Sequence, residues 1–206
     1  MTAVTARRGR LASPATALIV GGLVLALVIV DVPLARMAHQ SLNADGGSSP
    51  FWFSAALGVV GFVVASRSPR NPLGWILLGG ATFGVLSQDA SFYVVADYRL
   101  RHGSLPLGWV AVLAQPGWAA GIVLTGLAVL LFPDGRPPSP RWRWVLWLYL
   151  AAATLYLTGV LVASVGAIAG HDIRVDASGN LLVISHPAGS SAWWGVVEAV
   201  FLPLLV

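Results

Sequence analysis

PATALIVGGLVLALVIVDVPLA, residues 14–35, decides the fold class. A bilayer core about 30 Å thick needs about 20 mainly apolar residues in one helix, since each residue rises about 1.5 Å and no backbone polar group can stay unpaired in lipid. This run meets that length with a single charged residue, Asp31. It follows Arg7, Arg8 and Arg10, an arrangement shared by secretory signal peptides and by anchors that stay in the membrane. The anchor is the better reading. The run is longer than a signal core, and Asp31-Val32-Pro33-Leu34 lacks a small-x-small cleavage site.

Five further apolar runs follow, at about 51–65, 73–96, 107–132, 144–169 and 191–206. The expected fold is therefore an all-α membrane protein, a polytopic bundle of about six transmembrane helices. Residues 1–13 form a basic cytoplasmic terminus and residues 14–206 the helical domain. The last run is only 16 residues long and is expected to be incomplete. Composition agrees: 57% of the 206 residues are hydrophobic, 10% are charged and the mean hydropathy is +0.79, too little polar surface for a water-soluble globule. A net charge of +4 in a soluble protein would point to nucleic acid, but here the cations sit between apolar runs and set membrane orientation instead. All are arginines, and there is no cysteine to form disulfides, thiolate metal sites or a thiol nucleophile.

Cytoplasmic segments are enriched in Arg and Lys. With the amino terminus inside, eight arginines fall on the cytoplasmic side, including Arg67, Arg70, Arg136, Arg141 and Arg143. Only Arg36, Arg99, Arg101 and Arg174 fall outside. Trp52, Trp75, Trp109, Trp142, Trp144, Trp193 and Trp194 lie near run ends, where aromatic side chains anchor at the interface. In the outside loop 170–190, turn residues between Ile173-Arg174-Val175 and Leu181-Leu182-Val183-Ile184 predict a small β-hairpin leaning on the helix ends. The two inside turns have readable chemistry. Asn71 can cap the third helix with Pro72 in its first turn, and Pro133 can stop the fourth helix before a tight Asp134-Gly135 turn.

An ionisable group at membrane depth is costly and marks a functional candidate. Asp89 ranks first, beside Gln88 and near Ser87 and Ser91; facing inward, it could bind a cation, relay a proton or pair with an arginine. The more ordinary reading is a hydrated or hydrogen-bonded carboxylate near the outer helix end. Asp31, near an interface, and Glu198, in the last run, rank behind it. Gln115-Pro116-Gly117 should break the fourth helix, lining a cavity or allowing close packing. His39, His102, His171 and His186 fall in outside segments without metal-ligand spacing, and no nucleotide loop, nucleophile elbow or zinc helix motif is present. No catalytic, cofactor or metal residue is expected in this chain, nor any nucleic-acid partner beside the lipid bilayer.

Arg70-Asn71-Pro72-Leu73-Gly74-Trp75, and Leu131-Phe132-Pro133-Asp134-Gly135-Arg136 followed by Arg141-Trp142-Arg143, resemble the inside turns of the membrane-embedded amino-terminal regions of actinobacterial sensor histidine kinases. The resemblance implies a sensory input region in a bacterial inner membrane. It also implies a longer parent protein with a dimerising phosphoacceptor helix pair, an ATP- and Mg-dependent kinase domain and a response-regulator partner. None of those catalytic parts lies in these residues. Two other readings stand beside it. Asp89, Gln88 and the break at Pro116-Gly117 could build the midplane site of a transporter or channel component. A purely structural membrane protein would need no site at all.

Overall fold

Local chemistry starts the helices where the sequence places them. Ser13 Oγ accepts the Thr16 N–H at 3.2 Å and Pro14 occupies the first turn of α1 (Pro14–Met37). Asn71 Oδ1 accepts the Leu73 N–H at 3.0 Å and Pro72 opens α3 (Pro72–Val94). Between them lies α2 (Pro50–Arg67). The computed structural model describes residues 13–40, 42, 50–137, 139–177, 179, 181 and 182. Beyond α3 the chain continues as a π-helical turn, Val95–Leu100. The fourth expected helix is divided into α4 (Gly108–Ala114) and α5 (Gly117–Leu130), and a short 3₁₀ turn at Pro140–Trp142 leads into α6 (Arg143–Ala169).

Three stretches are long and apolar enough to cross a bilayer: Pro14–Met37, Gly108–Leu130 taken across its break, and Pro140–Ala169. This is the composition of a membrane protein. The apolar helix Trp52–Arg67 is shorter, and α3 carries Thr82, Ser87, Gln88, Asp89 and Ser91. The outer surface is apolar, with Ile19 and Val129 each 72% exposed. The interior, by contrast, holds Ala17, Ala65, Ala81, Ala119 and Ala153 together with buried Asp and Ser. Small residues inside and large apolar ones outside is the distribution that lipid, rather than water, favours.

The packing follows from close approaches. A Cβ on Gly74 would stand 2.4 Å from the Ala65 nitrogen, and one on Gly58 would meet Val24 and Ala81. Glycine therefore lets α2 lie against α3 backbone to backbone. These contacts, with Gly21 on Phe62 and Gly121 on Gly80 and Gly84, make α1, α2, α3 and the α4–α5 pair alternate in direction. Helix α3 is central, packing against α1, α2, α4 and α5. Helix α6 closes the side by packing on α4 and α5, where the Tyr149 hydroxyl donates to the Val123 carbonyl at 2.6 Å and Tyr156 meets Trp118 edge to face.

The expected hairpin is reduced to one antiparallel bridge, Val175 to Leu181, and no strand forms among the described residues. The segment folds back onto the bundle instead. Leu181 is buried in the main core, the Gln40 amide donates to the Ala177 carbonyl, and the turn at Gly179 lies against the Ser91 carbonyl. The expected helix 191–206, the basic terminus with Arg7, Arg8 and Arg10, and His186, Trp193, Trp194 and Glu198 lie outside the described residues.

Candidate functional site

Residues two apart on a helix point about 200° from each other, so α3 carries polar groups on two opposite sides. Ser87 and Ser91, one turn apart, face the α4–α5 break. Pro116 has no N–H, and the Ala119 N–H bonds the Pro116 carbonyl at 3.0 Å, which releases the Gln115 carbonyl from the helical ladder. The Ser87 hydroxyl donates to that carbonyl, and Ser91 Oγ donates to the Ser87 carbonyl at 2.9 Å. The break therefore forms a buried joint between α3 and α4–α5 in which Ser87 takes the freed Gln115 carbonyl. Gln115 itself is 1% exposed.

Asp89 faces the other way, toward α1, where it lies beside Asp31. The ladder of contacts agrees: Val24 and Ala81 meet across Gly58 below, and Ala35 packs with Phe92 and Val95 above. Asp31 is fully buried and Asp89 nearly so. All four of their carboxylate oxygens lack a hydrogen-bond donor among the described residues. The sequence ranked Asp31 behind Asp89 as a group near an interface; it lies six residues, about 9 Å of helix, inside the end of α1. Burial, rather than periodicity in the sequence, reveals its side. Ala17, Val24, Asp31 and Ala38 recur at intervals of seven and all four are buried, so Asp31 occupies the inward seam.

Gln88 is half-buried and points about 100° round the helix from Asp89, and Gln115 belongs to the Ser87 side. The three polar residues singled out in the sequence thus form no single cluster. A third buried carboxylate, Asp97, escaped notice at the level of sequence. Its Oδ1 accepts the Leu105 N–H at 2.8 Å, and its own carbonyl accepts the N–H groups of Arg101 and Gly103. It ties down the loop between α3 and α4. Among the described residues no group of three His, Cys, Asp or Glu side chains could hold a metal ion.

The two motif turns meet at the opposite end of the bundle. The Trp75 indole N–H donates to the Pro69 carbonyl at 2.9 Å, fixing the α2–α3 turn. Gly135, at φ +71°, packs against it: a Cβ there would stand 2.5 Å from Pro72 Cδ and 2.9 Å from Asn71 Oδ1. The Gly135 N–H closes its own turn on the Leu131 carbonyl at 2.8 Å, and Pro133, Asp134 and Arg136 are exposed around it. Arg67, Arg70, Arg141 and Arg143 are exposed at the same end. No family model, curated protein or solved structure matches the chain.

Proposed function

We propose that this chain is a multi-pass bundle of a bacterial inner membrane, its arginine-rich turns on the cytoplasmic side, serving as the sensory input region of a two-component histidine kinase. The observation that carries the reading is the docking of Gly135 against Asn71 and Pro72. The two turns that resemble those of sensor kinases are remote in sequence, yet they share one contact at the basic end. A change in how α1 and α3 pack at the other end would be felt there through α3, a rigid helix of 23 residues. Signalling of this kind needs two packings of the bundle with different affinity for the stimulus.

In this reading the catalytic parts, ATP and Mg belong to the parent protein, which dimerises through its kinase region and passes phosphate to a response regulator. The transporter reading relied on Asp89, Gln88 and the Pro116-Gly117 break as one midplane site. Asp89 and the break lie on opposite sides of α3, which favours the input-region reading. Reading the gene beyond the codon for Val206 tests it. An in-frame phosphoacceptor helix pair followed by an ATP-binding domain is expected, and a frame that closes without them overturns the assignment.

A further inference from the structure

Two carboxyl groups from different helices lie side by side in the α1–α3 seam, buried, with no donor on any of their four oxygens among the described residues. Burying one ionised carboxylate without a partner is costly, and burying two in contact adds their mutual repulsion. Among the described residues the surroundings offer no compensating cation. On α1, α2 and the π-helical turn the arginines are Arg36, Arg67 and Arg99, all exposed, and α4 and α5 carry no titratable residue. The remaining acids and phenols of these elements are engaged elsewhere or set apart: Asp97 receives the Leu105 N–H, Tyr93 receives the Leu107 N–H, and Tyr98 abuts Gly108. Over the end of the seam, Asp172 and Arg174 pair with each other at 2.7 Å, Asp176 is half-buried, and His39 and His171 are exposed.

What the site lacks is a donor, and a proton supplies one. We propose that Asp31 and Asp89 form a one-proton site, a carboxyl–carboxylate pair that holds α1 against α3 while it carries a single proton and loosens that seam when the proton leaves. The balance is simple: one proton is taken from the medium, one O–H bond forms, and the carboxyl so made donates to its ionised neighbour. The pair then buries one negative charge instead of two. A metal ion is the poorer occupant, because hard cations ask for about six oxygens and no third acid stands with the pair among the described residues. Helix α1 is built to yield here. Pro33 lies two residues beyond Asp31 and leaves the Ile29 carbonyl without its helical donor, a natural bending point. Taking the proton as the stimulus rests on the input-region reading; the site itself does not.

Infrared spectra of the purified full chain in lipid nanodiscs test the proposal. At neutral pH the wild type is expected to show the carbonyl stretch of a protonated carboxyl, and Asp31→Asn with Asp89→Asn together should remove it. Because the folded pair holds a proton that the unfolded chain releases, wild-type thermal stability should fall as pH rises and the double variant should not follow. A wild-type spectrum without that band overturns the site, as does a stabilisation by sodium or calcium at fixed pH that the double variant loses. Should the double variant not fold, a hydrophobic carbodiimide on the wild type gives the second readout. Modification at Asp31 or Asp89 that declines with rising pH is expected, and none at either residue overturns the site. These measurements involve no kinase, so they can succeed even where the gene reveals no kinase domain.

Discussion

Three histidines occupy the same odd position. His39, His102 and His171 hold φ values of 53°, 55° and 53°, each just beyond a helical segment. In two of them the hydrogen bonds close a recognisable helix end: Gln40 N–H to the Ala35 carbonyl and Asp172 N–H to the Ala167 carbonyl, each with the histidine N–H bonded to the residue three before it. That left-handed position suits glycine, and a side chain with a Cβ pays a steric penalty there. His39→Gly and His171→Gly are each expected to raise stability by about 0.5–1 kcal/mol, read as a higher midpoint of thermal unfolding in detergent. The sequence placed these histidines in outside segments without metal spacing. The apolar runs 14–35 and 144–169 end close to His39 and His171, but the left-handed conformation of each histidine depends on the hydrogen bonds that close the helix.

At the scale of elements, the same residue type has opposite meanings. Gly74 lies where α2 and α3 touch backbone to backbone, whereas a Cβ on Gly166 of α6 would meet nothing within 4 Å. Gly74→Ala is therefore expected to lower stability by about 1–3 kcal/mol through forced separation of the helices. Gly166→Ala is expected to leave it unchanged or raise it by up to about 1 kcal/mol through helix propensity. Paired thermal melts distinguish the two. The break between α4 and α5 was legible from Gln115-Pro116-Gly117, because proline acts on its own helix. Its partner was not: that Ser87, 28 residues earlier, would take the freed carbonyl depends on how α3 is rotated.

The whole molecule has two differentiated ends, a basic one where the motif turns dock and another where Asp97, the Gly179 turn and Leu181 close the bundle. The chain has no cysteine, so engineered pairs report cleanly on this arrangement. Arg70→Cys with Asp134→Cys, exposed neighbours of the contact residues, is expected to be joined by a short bismaleimide, while Arg70→Cys with Ser104→Cys, separated by the length of α3, should not. A gel shift on cleavage between the two positions measures it. Loss of the first crosslink would show that the turns do not meet.

What these residues determined by themselves is local: apolar lengths, proline and asparagine at helix starts, the broken fourth helix, and arginines gathered beside particular turns. Those features follow from transfer into lipid and from neighbours a few positions away. Only the tertiary structure decided which side of each helix turns inward. In helices apolar on nearly every side, hydrophobic periodicity gives little hint of rotation, so the meeting of Asp31 with Asp89 emerges only when α1 and α3 are laid together.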